Sequence, residues 1–203
     1  MVSILCTARS GATNLSLYLK NVLEKNLIIS PFGNDMENMG LNPSWKGSLN
    51  LKMKKDNLYK LMIHRLPSGY SDLCEFGNDI IKLSDKVILF DRKNKLEQSE
   101  SLAFRKIKYG DDFSKYRTKE PYDNIDKRVV NECYKNFLHH SSALKELSET
   151  HNIPIFWYED LYYGDGLEKI SNYLKLKISK TYKDKFLSED KKERILKNKG
   201  DLI

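Results

Sequence analysis

The residue types best suited to chemistry fall in one short segment near the start of the sequence. An apolar run, Val2–Cys6, leads into a polar loop and then into a helical pattern of apolar residues. A strand, a tight loop and a helix in this order point backbone N–H groups and the positive end of the helix at an anion. The loop adds a cation, Arg9, and a glycine that allows close backbone approach, Gly11. Together with the hydroxyls of Ser10 and Thr13, these residues predict a phosphate-binding loop.

A second group of candidate residues follows the apolar run Lys86–Phe90. Its length and β-branched content predict a buried strand, and the residues after it, D-R-K-N-K-L-E-Q-S-E-S-L-A, change to helical spacing. Arg92 and Lys93 place two cations before the helix, where they are unfavourable against the helix dipole unless an anion binds beside them. Ser101, with Ser99 as the lesser candidate, could supply a hydroxyl to the same anion.

A third pattern lies towards the C-terminal end. The residues I-P-I-F-W-Y-E-D-L at 153–161 predict a strand that ends in Y-E-D-L, and the residues at 167–176 predict an amphipathic helix. From their place on the strand, Trp157 and Tyr158 are expected to belong to the core.

These three segments, in this order, resemble the sulfotransferase family. The first is similar to the loop that binds the 5′-phosphosulfate, with Arg9 at the position of the loop lysine and with Ala8 and Ala12 as departures. It differs from the Walker A pattern G-x-x-x-x-G-K-S/T, which needs a second glycine and a lysine beside the hydroxyl residue. The second is similar to the strand and helix that bind the 3′-phosphate, and alignment of K-L-x-Q-x-x-S-L places Ser101 on the family's serine.

The resemblance implies a three-layer α/β sandwich with a mostly parallel sheet, of the P-loop NTPase-like type, as a single domain over 1–203. It implies transfer of a sulfuryl group from 3′-phosphoadenylyl sulfate (PAPS) to a hydroxyl or amine of a small-molecule or glycan acceptor, without a metal. Glu159 and Asp160 would tie the end of the sheet to neighbouring loops. The residues implied to bind the donor are Arg9, Ser10, Gly11, Ala12, Thr13, Asn14, Arg92, Lys93 and Ser101, with Arg92 and Lys93 at the positions of two family arginines.

The expected catalytic base is a histidine. Bacterial sulfotransferases often carry a glutamate before a Pro-Phe pair, where this sequence has Ser30. The segment I-H-R-L-P at the end of the predicted strand Leu58–His64 resembles K-T-H-L-P of cytosolic sulfotransferases, with one residue inserted and without the preceding lysine. His64 is the predicted base, and Arg9 is predicted to stabilise the leaving group. The alternative bases are acidic residues, namely Asp35, Glu37 and Glu75. The other histidines are expected at the surface, namely His139, His140 and His151.

Helical spacing and turn residues organise the rest of the sequence. The predicted helices lie at about 13–25, 71–83 and 125–150. Glycine, asparagine and proline predict a loop at 30–47, and 180–199 is a charged helix or frayed end. The choice of acceptor is expected to depend on the segments 31–50 and 111–124.

Composition narrows the class of protein. A length of 203 residues suits one α/β core, and no apolar stretch approaches the ~18 residues of a membrane-spanning helix. The three cysteines have no metal spacing, which favours a reducing, cytoplasmic setting and small buried side chains. The net charge of +7 comes from lysines interleaved with acids, so an anionic nucleotide cofactor accounts for it better than nucleic acid. The sequence carries no indication of oligomeric state.

Two other functions agree with the same motifs. One is a P-loop kinase or nucleotide hydrolase, disfavoured by the missing Walker lysine and by the lack of a clear acidic magnesium ligand after a strand. The other is a catalytically silent nucleotide-binding protein, consistent with serine in place of the bacterial glutamate. Magnesium dependence separates the first from a sulfotransferase, and transfer of radiolabel from the donor separates the second.

Overall fold

The computed structural model describes residues 1–29, 53–67, 69–109 and 125–177. The predicted acceptor segments, the C-terminal segment 180–199 and the candidate acids Asp35 and Glu37 lie outside these residues. Within them, no helix combines the length and the apolar character needed to cross a membrane.

Five parallel strands form one sheet in the order β2-β3-β1-β4-β5. The strands are β1 Val2–Cys6, β2 Asn26–Ile29, β3 Asn57–Met62, β4 Lys86–Asp91 and β5 Ile155–Trp157. All five residues of the central strand β1 are buried. Strands that are covered on both faces read as continuous apolar runs, which is why the sequence predicted β1 and β4 at these positions.

Six described helices cover the sheet. They are α1 Ala12–Leu23, α2 Leu73–Leu83, α3 Lys95–Tyr109, α4 Lys127–His151, α5 Tyr158–Tyr163 and α6 Gly166–Leu174. Helices α1, α5 and α6 pack on one face of the sheet, and α2 and α4 pack on the other. Helix α3 packs against α4 through a smaller cluster that includes Ala103 and Phe137. The predicted three-layer α/β sandwich is confirmed.

Alternation along the strands divides the core into these two layers. Successive side chains of a strand point to opposite faces, so Leu5 joins the cluster under α2 and α4 while Ile4 and Cys6 join the cluster under α1. Parallel register sets Lys60 and Ile88 beside Ile4 on the α1 face. The face that receives α1 therefore carries a lysine in its core-facing row.

The structure differs from the sequence prediction at three places. Strand β2 was not predicted, because four residues at the edge of a sheet, partly exposed, show no clear periodicity. The Y-E-D-L segment was predicted as strand end, whereas Tyr158 begins helix α5 and Trp157 is the last strand residue. Both rings are half-buried; Tyr158 packs against the core cluster under α1, and Trp157 belongs to none of the described clusters. His64 lies beyond Met62, where strand β3 ends.

The order of the strands determines where a ligand can bind. Strand β1 continues through α1 to β2 on one side, whereas β4 continues through α3 and α4 to β5 on the other. Neighbouring strands that diverge in this way open a crevice at their carboxyl ends, where open α/β sheets bind ligands. The predicted phosphate-binding loop follows β1 and the Arg92–Ser101 segment follows β4, so both lie at this crevice.

Candidate functional site

The loop between β1 and α1 has the backbone of an anion-binding turn. Arg9 and Gly11 both adopt left-handed conformations, with φ of 58° and 80°. Left-handed residues between ordinary ones curve the chain so that successive N–H groups face a common point. Helix α1 begins directly after Gly11, and no side chain caps its N-terminal N–H groups. These donors and the positive end of the helix are available to an anion.

Gly11 is required by a neighbouring ring as well as by its φ angle. A Cβ atom added to Gly11 would lie 2.5 Å from Cδ2 of Tyr158 on α5. The loop backbone therefore packs directly against the ring of the first residue of α5.

Some side chains of the loop form hydrogen bonds within the protein, and others are exposed to solvent. Ser10 is buried and its hydroxyl donates to the carbonyl of Thr7 at 2.8 Å, so it holds the loop in shape. Ala12 is buried as the first residue of α1. Asn14 Nδ2 donates to the hydroxyl of Tyr162 at 2.9 Å. Thr13 is exposed on the first turn of α1.

Lys60 on β3 is a functional candidate that the sequence analysis missed. Its side chain is buried, and Nζ donates to the Thr13 hydroxyl at 2.8 Å. Burial lowers the pKa of Lys60, and the charges of Arg65 and Arg9 act in the same direction. The signal in the sequence was a lysine inside the apolar run L-Y-K-L-M-I, where a buried charge needs a partner. The loop is therefore served by two cations, Arg9 and Lys60.

Arg9 joins the loop to helix α3. Its Nε and Nη2 atoms donate to the hydroxyl of Ser101 at 3.0 Å and 2.9 Å. Ser99, the lesser candidate, instead donates to the carbonyl of Lys95 within the helix at 2.6 Å. The structure thus brings together the residues predicted for the two phosphate sites, and it selects Ser101 over Ser99 as the serine that faces the loop.

The two cations after β4 have different surroundings. The Arg92 guanidinium lies 4.6 Å from the centre of the Tyr158 ring, the same ring that packs on Gly11, and it forms an ion pair with Glu97. Lys93 is exposed and its Nζ lies 2.6 Å from Oδ1 of Asp160. The Arg92 side chain and the Gly11 backbone therefore contact the same ring, whereas the Lys93 side chain pairs with Asp160, two residues further along α5.

Glu159 ties the end of β5 to the segment after β4. Its carboxylate accepts hydrogen bonds from the backbone N–H groups of Lys93 at 2.9 Å and Asn94 at 2.8 Å, just before α3 begins. With the ion pair between Lys93 and Asp160, this is the tie that the sequence predicted for Y-E-D-L. It holds Arg92 and α3 against the sheet.

The Asp91 side chain, at the end of β4, connects the loop to α3 through hydrogen bonds. One oxygen, Oδ1, accepts from the Thr7 hydroxyl at 2.6 Å, from the N–H of Arg92 at 2.8 Å and from Lys95 Nζ at 2.6 Å. Gln98 extends the network by donating to Thr7 Oγ1 at 2.8 Å and to the carbonyl of Ala8 at 2.5 Å. Asp91 itself is 1% exposed, so these bonds form in a low-dielectric setting.

His64 lies beside the loop in a cavity of about 240 Å³. Ala8 of the loop lines the same cavity, and the His64 ring stacks on His140 of α4 with ring centres 5.0 Å apart. His140 was predicted at the surface but is half-buried, because its ring stacks on His64; His139, predicted at the surface too, is exposed. The alternative acid Glu75 lies in the first turn of α2 and does not line this cavity.

Both imidazoles are neutral at neutral pH. Burial lowers the pKa of His64 to about 4, and the charges of His140, Arg65 and Lys106 act in the same direction. Burial likewise lowers the pKa of His140 to about 4. Within the described part of the chain, Nδ1 of each ring is buried without a hydrogen-bond partner. A neutral imidazole has one nitrogen that can accept a proton.

Comparison with known proteins identifies the fold. No model of a protein family and no curated protein matches the sequence. Among solved structures, the chain is similar to the mouse sulfotransferase SULT7A1 complexed with PAP, with a TM-score of 0.53 at 14% sequence identity. The fold is sulfotransferase-like. The match covers 92% of this chain and 62% of the mouse chain, so the chain spans less than two thirds of that enzyme's length.

The sulfotransferase-like fold shows no metal cluster among the residues that the structure describes. In the ranges given above, no three His, Cys, Asp or Glu side chains come together in a way that could hold a metal ion. The three cysteines have free thiols, and burial raises the pKa of the Cys6 thiol to about 11. Cys6 and Cys133 are buried and Cys74 is half-buried, as small apolar side chains would be.

The close packing of Gly11 on Tyr158 leads to a stability prediction. Gly11→Ala should lower the free energy of unfolding by about 2–4 kcal/mol, which combines a left-handed alanine at about 1–2 kcal/mol with overpacking. In a Tyr158→Ala background only the conformational cost of about 1–2 kcal/mol should remain. Urea denaturation of the four proteins measures both values. Equal costs in the two backgrounds would contradict the contact.

The stacked histidines predict a pH dependence of stability. Their pKa values lie near 4 in the folded protein and near 6.5 in the unfolded chain, so the unfolded chain binds more protons between these values. The free energy of unfolding should have its full value above about pH 6.5 and should fall as the pH decreases towards 4. His140→Gln should make this fall smaller, as measured by melting temperature against pH. The exposed His139→Gln is the matched control, and the same fall in all three proteins would refute the prediction.

Proposed function

We propose that this protein is a sulfotransferase that moves a sulfuryl group from PAPS to a hydroxyl or amine of a small acceptor. The observation that carries the proposal is the contact between Arg9 and Ser101. It joins an anion-binding loop to the helix that follows the neighbouring strand, at the crevice where this fold binds ligands. A donor with phosphates at both the 5′ and the 3′ position needs two adjacent anion sites of this kind.

The 5′-phosphosulfate would bind at the loop. The N–H groups of the loop and the beginning of α1 donate to its oxygens, and Thr13 adds a hydroxyl. Lys60, which holds Thr13 from below, supplies positive charge from the sheet. Because Lys60 is buried, its attraction to an anion at the loop is weakly screened by solvent.

The 3′-phosphate would bind at Ser101 and Arg92. Ser101 already faces the loop through Arg9, and Arg92 is fixed over Tyr158, which borders Gly11. A guanidinium presents several N–H donors in a plane, so Arg92 can keep its ion pair with Glu97 and still bind a phosphate. Lys93 is the weaker candidate because Asp160 engages its ammonium group.

Arg9 would stabilise the leaving group. As the S–O bond to the phosphate breaks, negative charge grows on the bridging oxygen that stays with the nucleotide. The hydrogen bonds to Ser101 hold the Arg9 guanidinium beside the loop. A positive charge fixed next to the bridging oxygen lowers the barrier as negative charge develops there.

His64 would act as the base. Its neutral ring lines the cavity next to the loop residue Ala8, so an acceptor bound there can present its hydroxyl to the imidazole and to the sulfuryl group. The new O–S bond forms while the acceptor proton passes to His64. The negative charge of a bound donor raises the pKa of a nearby imidazole, which brings His64 closer to the range suited to a general base.

The kinase alternative finds less support at the loop. A magnesium-binding carboxylate would be expected at the end of the strand next to β1, and Asp91 has that position. Its Oδ1 is occupied by the ammonium group of Lys95 at 2.6 Å, so a second cation would meet like charge there. A catalytically silent nucleotide-binding protein would differ from a sulfotransferase only in that it transfers no sulfuryl group. Transfer from labelled donor tests this difference directly.

The two phosphate sites predict a preference among nucleotides. PAP, here 3′-phosphoadenosine 5′-phosphate, should raise the melting temperature more than adenosine 5′-phosphate does, because only PAP carries a phosphate for the second site. A ligand at about a hundred times its Kd adds about 2.7 kcal/mol to the free energy of unfolding. Arg92→Gln should reduce the difference between the two nucleotides, and Lys93→Gln should preserve it. Identical shifts with both nucleotides in the parent protein would remove the 3′-phosphate site and with it the proposed donor.

The role of His64 predicts a loss of rate without a loss of donor binding. His64→Gln keeps a polar side chain but accepts no proton at neutral pH, so single-turnover transfer from labelled PAPS should fall about 10²–10⁴-fold. Donor affinity, read from the thermal shift with PAP, should stay at the parent value. His139→Gln, on the exposed side of α4, is the control and should transfer at the parent rate. A parent-like rate in His64→Gln would exclude this base.

A further inference from the structure

The cavity beside His64 is small. It encloses about 240 Å³ and is bounded by the loop residue Ala8, the end of β3, helix α3 and helix α4. Pockets for drug-sized ligands usually measure about 300–1,000 Å³. A compound with a single ring fits such a space, whereas a fused polycyclic compound or an oligosaccharide does not.

The charged residues described in the lining of the cavity are all cations. Arg65 follows β3, Arg105 and Lys106 lie on α3, and all three line the cavity, while no carboxylate is among its described lining residues. Arg105 is 9% exposed, so its field acts through a medium of low dielectric. The positive charges of Arg65 and Lys106 reach His64, since both oppose protonation of its ring and lower its pKa.

The rest of the lining is largely apolar. Met62, Leu102 and Phe137 contribute apolar surface, and the stacked rings of His64 and His140 add neutral aromatic surface. The cavity therefore combines apolar surface, a neutral imidazole and three cations.

We infer that the acceptor is a small hydroxyl compound with an anionic group, a carboxylate or a phosphate, held by Arg65, Arg105 and Lys106. The inference rests on the proposed sulfotransferase function. The anionic group meets the cations, and the hydroxyl faces His64. In the transfer step the hydroxyl gives its proton to His64, its oxygen bonds to sulfur, and the bond between sulfur and the phosphate oxygen breaks. The products are the sulfate ester of the acceptor and PAP.

The test compares two probes of the same shape in the presence of saturating PAP. By isothermal titration, 4-hydroxybenzoate should bind about tenfold or more tightly than neutral 4-hydroxybenzamide, because charge-assisted hydrogen bonds are the stronger ones. Lys106→Gln and Arg105→Gln should each reduce this ratio, and Arg105→Lys should keep most of it. Lys135→Gln, on the exposed side of α4, is the matched control and should leave the ratio unchanged.

Three outcomes would overturn the inference. They are equal affinity for the two probes, no binding of 4-hydroxybenzoate at millimolar concentration, and a ratio of affinities that neither Arg105→Gln nor Lys106→Gln changes. Folding of each variant is checked by its melting temperature, and Lys106→Gln decides the matter if Arg105→Gln does not fold. If PAP itself fails to bind, the proposed function falls, and the same titration without PAP then decides on the anionic cavity alone: a retained preference supports it and a lost preference overturns it.

Discussion

The Asp91 carboxylate holds the loop after β1 and the helix after β4 at a fixed distance. Its buried Oδ1 receives hydrogen bonds from Thr7, which begins the loop, and from Lys95, which begins α3. Arg9 and Ser101 extend from these two elements and meet at hydrogen-bond distance. Removing one partner from a buried ion pair costs about 3–5 kcal/mol, so the geometry of both proposed anion sites depends on this one interaction.

The candidate site collects positive charge on side chains that are largely shielded from solvent. Lys60, Arg92 and Arg105 are all buried, and Arg9 belongs to the loop itself. Such charges repel one another, and an anion bound among them would relieve that repulsion. Under the proposed function, ligand affinity and the stability of the folded chain are therefore linked at this site.

Much of the architecture could be predicted because it depends on local sequence. The apolar runs of β1 and β4, the glycine after the loop and the helical spacing that follows are visible along the chain. Lys60 and His140 were missed because their roles come from neighbours across the sheet and between helices, which periodicity does not show. Tyr158 was placed on a strand, whereas its function in the fold is to cover Gly11 from the first turn of α5.

The contacts that complete the loop come from far along the chain. Asn14 bonds to Tyr162 across a separation of 148 residues, and Tyr158 covers Gly11 from the same helix. Contacts of such long range are slow to form, because the entropy lost on closing a long loop must be offset. During synthesis, a ribosome-bound chain that has not yet released β5 and α5 lacks one wall of the proposed nucleotide crevice. The growing polypeptide therefore completes that crevice only after the last described strand has been made.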